Sequence, residues 1–110
     1  MSVIGQSVPR LDALEKVTGR ARYAADYTPA GCLHVATVRS KRPHIRILKV
    51  DTRPALEVPG VLRVITATDI QGENVLPLVV SDYPFLAKDV ARFIGQAIAL
   101  VVAESVDIAR

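Results

Sequence analysis

The pattern of hydrophobic and polar positions predicts several short strands along the chain. The run VLRVITA, residues 61–67, is rich in β-branched residues, which favour strands. The run VARFIGQAIALVVAE, residues 90–104, predicts two strand-like halves around Gly95 and Gln96. In CLHVATVRS, residues 32–40, apolar residues occupy both parities, so we expect a strand that is covered on both faces.

The helices are predicted to be short. Asp12 is a suitable N-cap, and Glu15 follows at the spacing of a capping box. Lys16 suits the carbonyl end of this helix, and Gly19 suits the left-handed residue that ends it. The predicted helix has only about two turns and needs support, because helices below ~12–15 residues are marginal alone in water.

Other helix signals follow along the chain. Pro54 is suited to the first turn of a helix that the next Pro–Gly pair ends. The segment ATDIQGEN, residues 67–74, predicts a turn or a short helix capped by Thr68 or Asp69. Ser105 is predicted to cap a final helix, which the sequence interrupts after one turn, so we expect Arg110 to be a truncation point.

Three segments give weaker patterns. Residues 20–27 predict a short strand that Ala weakens. In HIRILKVD, residues 44–51, the apolar residues change parity, which predicts a β-bulge near Ile47 and Leu48. Residues 75–89 contain two prolines and are expected to be extended or looping, with any strand at an edge. Because most links between strands are too short for helical crossovers, the pattern favours an α+β fold.

Length and composition fit a single packed domain spanning residues 1–110. Half of the residues are hydrophobic and 23% are charged, which argues against general disorder. The single cysteine, Cys32, excludes an internal disulfide and fits a reducing compartment. The apolar runs are far shorter than the ~20 residues that span a bilayer, and the N-terminus does not resemble a signal peptide. We therefore expect a cytoplasmic protein that does not contact membranes.

Candidate chemistry is sparse. Cys32 and His34 could share a strand face, but a zinc site needs three or four protein ligands and His44 is the only other imidazole. As a nucleophile and base, the same pair lacks a third group to orient the histidine. The glycines form no phosphate-binding motif. We predict no catalytic, cofactor-binding or metal-binding residue in this chain.

A basic stretch runs from Arg39 to Arg53 and suggests an alternative function. The net charge of +3 and this clustering are compatible with a stand-alone interaction module that binds RNA. Against this, the stretch has no aromatic residue for base stacking, and Asp51 interrupts the positive field. A solvated strand face that discourages sheet pairing is the favoured interpretation, and nucleic acid is not an expected partner.

Four motifs in a fixed order resemble a known family. They are RLDALEKVTGRARYAADY, VRSKRPHIRILKVD, VPGVLRVITATDI and FIGQAIALVVAES. Together they resemble the N-terminal domain of the molybdenum-binding large subunit of the xanthine dehydrogenase and aldehyde oxidase family. The matching positions are Arg10, Asp12, Ala13, Lys16, Val17, Thr18, Gly19, Ala21, Tyr23, Gly95, Gln96, Ala99, Val101, Val102 and Ala103. Position 97, often Pro in the family, is Ala here.

The resemblance implies an α/β hammerhead, an α+β fold with a mixed, mostly antiparallel sheet and short helices. It also implies that residues 1–110 are an N-terminal fragment of an oxidoreductase. Family members hydroxylate carbon centres with oxygen from water through a molybdenum–pterin cofactor, and iron–sulfur clusters and commonly FAD accept the electrons. The family's pterin contacts and catalytic glutamate lie in later domains, so the fragment itself is expected to be inactive and to hold no cofactor.

The same resemblance implies partners. These are the remaining domains of the large subunit and, in separate subunits or domains, the iron–sulfur and FAD groups. If Met1 is native, the large subunit is expected to be a separate polypeptide. We expect the helix from Asp12 to Thr18 to be held by the rest of that subunit, or by the sheet.

Two further points concern the function of the chain and the role of Gly95 and Gln96. An independent small enzyme is disfavoured by the missing catalytic constellation. At Gly95 and Gln96, the pattern predicts either a plain turn, in which Gln96 is merely polar, or a glutamine that faces a neighbouring domain.

Overall fold

The computed structural model describes residues 4–77 and 79–110, and the chain divides into two compact units, Met1–Gly31 and Cys32–Arg110. Short helices accompany antiparallel sheets, which confirms the predicted α+β class. The described strands are β1 His34–Arg39, β2 Ile45–Arg46, β3 Val61–Thr66, β4 Val90–Ala91 and β5 Ala97–Ala103. The α-helices are α1 Ala13–Val17, α2 Arg53–Leu56 and α3 Val106–Ala109.

The first unit contains the predicted short helix, but not the predicted capping box. Asp12 occupies the N-cap of α1 without a side-chain capping bond. Its carboxylate instead pairs with Arg10, whose Nε lies 2.6 Å away, and with Lys16 one turn later. Arg10 and Lys16 compete for the Asp12 carboxylate, so the predicted capping box between Asp12 and Glu15 does not form. Gly19 has a φ of 69°, which confirms the left-handed exit.

The strand predicted over residues 20–27 is wrong. The structure has a 3-10 helix at Ala24–Asp26 within this segment. The Asp26 carboxylate accepts a hydrogen bond of 2.8 Å from the backbone N–H of Tyr23. This local bond satisfies a donor that a strand would have paired across a sheet, and alanine does not favour a strand strongly enough to compete.

The main sheet of the second unit is three-stranded and antiparallel, in the order β1–β5–β3. Val101, at the middle of β5, pairs with Ala36 on one side and Val64 on the other. Ala99, Val101 and Ala103 alternate along β5 and are buried, so this strand forms the centre of the core. The prediction of an apolar strand in the AIALVVA run is confirmed.

The expectation that residues 32–40 are covered on both faces is wrong. Val35 on β1 is 57% exposed. Strand β1 lies at an edge of the three-stranded sheet, where fewer neighbours are available to cover its outward side chains.

The β-bulge predicted near Ile47 and Leu48 is also wrong. Strand β2 pairs with β4 only through Ile45 and Arg46, and Leu48 is 89% exposed. After Arg46, the Ile47 N–H donates a hydrogen bond of 2.8 Å to the Asp89 carbonyl. A bulge needs a ladder that continues on both sides, and this one ends too early. Register shifts occur instead within β1 and β3 of the main sheet.

The short helices of the second unit follow their sequence signals closely. Pro54 lies in the first turn of α2, and the Ser105 hydroxyl caps α3 by accepting from Ile108 N–H at 3.3 Å. The short helix predicted as an alternative for residues 67–74 is confirmed as a 3-10 helix at Ala67–Asp69, but its N-cap is Thr66 rather than Thr68 or Asp69. Of residues 75–89, Leu78 lies outside the described residues; the rest is irregular, with one bridge between Leu76 and Tyr83.

Candidate functional site

The cysteine and histidine candidates do not form a metal site in the part of the chain that the structure describes. No group of three or more His, Cys, Asp or Glu side chains there could hold a metal ion. Cys32 is a half-buried free thiol just before β1, and His34 begins that strand. The absence of catalytic, cofactor-binding and metal-binding residues stays a prediction.

The basic stretch is partly engaged in internal contacts. The Arg39 guanidinium donates to the Gly95 carbonyl at 2.8 Å. Arg53 Nη2 lies 2.8 Å from Asp51, and this pairing lowers the pKa of the Asp51 carboxyl. Two of its cations therefore make contacts within the chain. Among the described residues, moreover, no helix has the length and apolar character required to cross a membrane.

Gly95 and Gln96 form a hydrogen-bonded loop that joins the end of β1 to the start of β5. Gly95 has a φ of 90°, which confirms the predicted positive φ. Its N–H donates to the Ser40 carbonyl at 2.8 Å, and the Ser40 N–H donates to the Gln96 carbonyl at 2.9 Å. Glycine is required here because this φ is unfavourable for residues with a Cβ.

The interpretation of Gln96 as a merely polar turn residue is wrong. Its side chain is buried, with only 2% of the residue exposed. The Oε1 atom accepts a hydrogen bond of 2.6 Å from the backbone N–H of Arg92. A backbone N–H can only donate, so this contact assigns Oε1 and leaves Nε2 as the other end of the amide. Gln96 thus holds the turn between β4 and β5 closed.

Gln96 also lines an open cavity of about 340 Å³. The cavity walls carry charges of both signs and small polar and apolar groups, from Val75, Ser81, Asp82, Pro84, Lys88, Asp89, Val90 and Arg92.

Three aromatic residues of the second unit are partly exposed: Tyr83, Phe85 and Phe93. They are 39%, 48% and 41% exposed, respectively. The rings of Tyr83 and Phe93 stack with centroids 6.0 Å apart. Both phenylalanines of the chain are therefore partly exposed. The sequence did not predict their exposure, because the prolines marked residues 75–89 only as a loop.

A larger cavity of about 510 Å³ lies beside β3. Thr66 and Asp69 contribute to its wall. The Asp69 carboxylate accepts from both the N–H and the hydroxyl of Thr66, each at 2.8 Å. These hydrogen bonds lower the pKa of Asp69, and Arg63, 3.7 Å away, adds to the effect. The carboxylate serves the local turn.

Comparison with known proteins identifies the domain. The family model described as the a/b hammerhead domain of aldehyde oxidase and xanthine dehydrogenase matches residues 18–110. The chain belongs to this family. The hammerhead domain has the antiparallel sheets and short helices described above, so the resemblance drawn from the four motifs is confirmed.

Individual relatives agree with this assignment. The nicotinate dehydrogenase large molybdopterin subunit of Eubacterium barkeri is 38% identical over 96% of this chain and 25% of its own length. The nicotine 6-hydroxylase large subunit of Paenarthrobacter nicotinovorans is 40% identical, over 94% of this chain and 14% of its own length. In the crystal structure of quinoline 2-oxidoreductase from Pseudomonas putida 86, a region 40% identical superposes with a TM-score of 0.84, covering 98% of this chain and 15% of that one.

The hammerhead chain thus spans a quarter or less of these relatives.

Proposed function

We propose that this chain is the N-terminal structural domain of a longer large subunit, in a molybdenum hydroxylase of the xanthine dehydrogenase and aldehyde oxidase type. The observation that carries the proposal is the family match over residues 18–110, together with a relative that is itself a large molybdopterin subunit. In this proposal, the domain has a structural role in that subunit and contributes no group to the reacting centre.

In this proposal, the described residues of this chain do not hold the molybdenum–pterin cofactor. Among the described residues, no three His, Cys, Asp or Glu side chains come together where they could hold a metal ion directly. Gly60 and Gly95, two of the glycines with positive φ, serve turns that adjoin β-strands. The cofactor therefore belongs to later parts of the subunit in this proposal.

The parent enzyme is proposed to hydroxylate a carbon centre of its substrate with oxygen from water. Iron–sulfur and FAD groups in partner subunits or domains would accept the two electrons released. The free thiol of Cys32 is consistent with a reducing compartment, and we include a cytoplasmic location in the proposal.

The test compares the complete large subunit, purified with its partner subunits, with the 110-residue chain alone. Elemental analysis is expected to find stoichiometric molybdenum in the complete subunit and none in the chain. Dye reduction with purine, aldehyde and N-heterocyclic substrates measures activity in both. Stoichiometric molybdenum in the chain alone would overturn the structural role, and a complete subunit without molybdenum would overturn the enzyme assignment.

A further inference from the structure

We draw no further inference here: the strongest candidate, the open cavity of about 510 Å³ beside β3, has in its wall the Thr66 and Asp69 side chains, which already bond to one another, and nothing in the structure shows what covers it.

Discussion

The side chain of Ile108 occupies the space that a Cβ at position 60 would need. A Cβ built on Gly60 would lie 2.8 Å from Ile108 Cδ1, and Gly60 has a φ of 89°. The Gly60 carbonyl also accepts from the Glu104 N–H at 2.9 Å. The packing of Ile108 on Gly60 joins the turn before β3 to helix α3. It requires glycine at position 60 because of the positive φ and because a Cβ would clash with Ile108.

Gly60→Ala is therefore expected to lower the free energy of unfolding by about 2–4 kcal/mol, from backbone strain plus overpacking. Urea denaturation measures the change. The Ile108→Val background provides the control, because valine lacks the Cδ1 atom and should remove the overpacking part. An equal cost of Gly60→Ala in both backgrounds would show that Ile108 is irrelevant to it.

Gly95 tests backbone strain without a clash. Its φ is 90°, but a Cβ there would meet no atom within 4 Å. Gly95→Ala is expected to cost about 1–2 kcal/mol in the free energy of unfolding, from the left-handed conformation alone. Gly72→Ala is the matched control, since Gly72 has no positive φ and equally open space. It should be neutral or slightly stabilising, so similar costs at both sites would contradict the argument.

Val101 tests the core. It is buried at the centre of β5, and Val101→Asp should lower the free energy of unfolding by about 3–5 kcal/mol, the effect of an unpaired buried charge. Val35→Asp, on the exposed part of edge strand β1, should cost less than about 1 kcal/mol. Thermal and urea melting measure both. A Val101→Asp variant as stable as Val35→Asp would place Val101 outside the core.

Local signals in the sequence predicted local structure well. Pro54, Ser105 and Gly95 each act through the backbone of their own turn, so their roles could be identified from residue type and spacing. The prediction of a bulge near Leu48 was wrong because it assumed that every apolar residue of this segment is buried. A change of parity requires a bulge only under that assumption. Leu48 is exposed, and nothing local in the sequence distinguishes it from a core leucine.

The site required long-range information. The Gln96 side chain accepts a hydrogen bond from Arg92, four residues away. Its surroundings also include residues that are distant in sequence: the Ser40 N–H donates to its carbonyl, and Val75 lines the same cavity. Composition also gave no indication that the phenylalanines avoid the core, because hydrophobicity alone predicts the opposite.

Asp69 provides a pH-dependent test. Hydrogen bonds from Thr66 lower its pKa below the usual value of 3.8 in the folded chain. A depressed pKa stabilises the fold above the unfolded pKa, and this contribution is lost as the pH falls through the folded pKa. Asp69→Asn should therefore lower the urea midpoint near pH 7, and the difference from the parent should shrink below about pH 4. Because Asp12 and Asp51 also have lowered pKa values, only the difference between the two proteins is diagnostic. A difference that stays constant down to pH 3 would contradict the assignment.

Gln96→Ala tests whether the glutamine side chain holds the turn between β4 and β5. The substitution removes Oε1, so the Arg92 N–H loses its acceptor in a partly buried position. In the 110-residue chain, the free energy of unfolding should fall by about 1–3 kcal/mol, the cost of an unsatisfied backbone donor. Gln71→Ala, at an exposed position, should stay within about 0.5 kcal/mol of the parent. Hydrogen exchange at the Arg92 amide adds a local measurement, since that amide should lose protection in Gln96→Ala only. If Gln96→Ala is as stable as Gln71→Ala and the Arg92 amide stays protected, Gln96 does not hold the turn between β4 and β5.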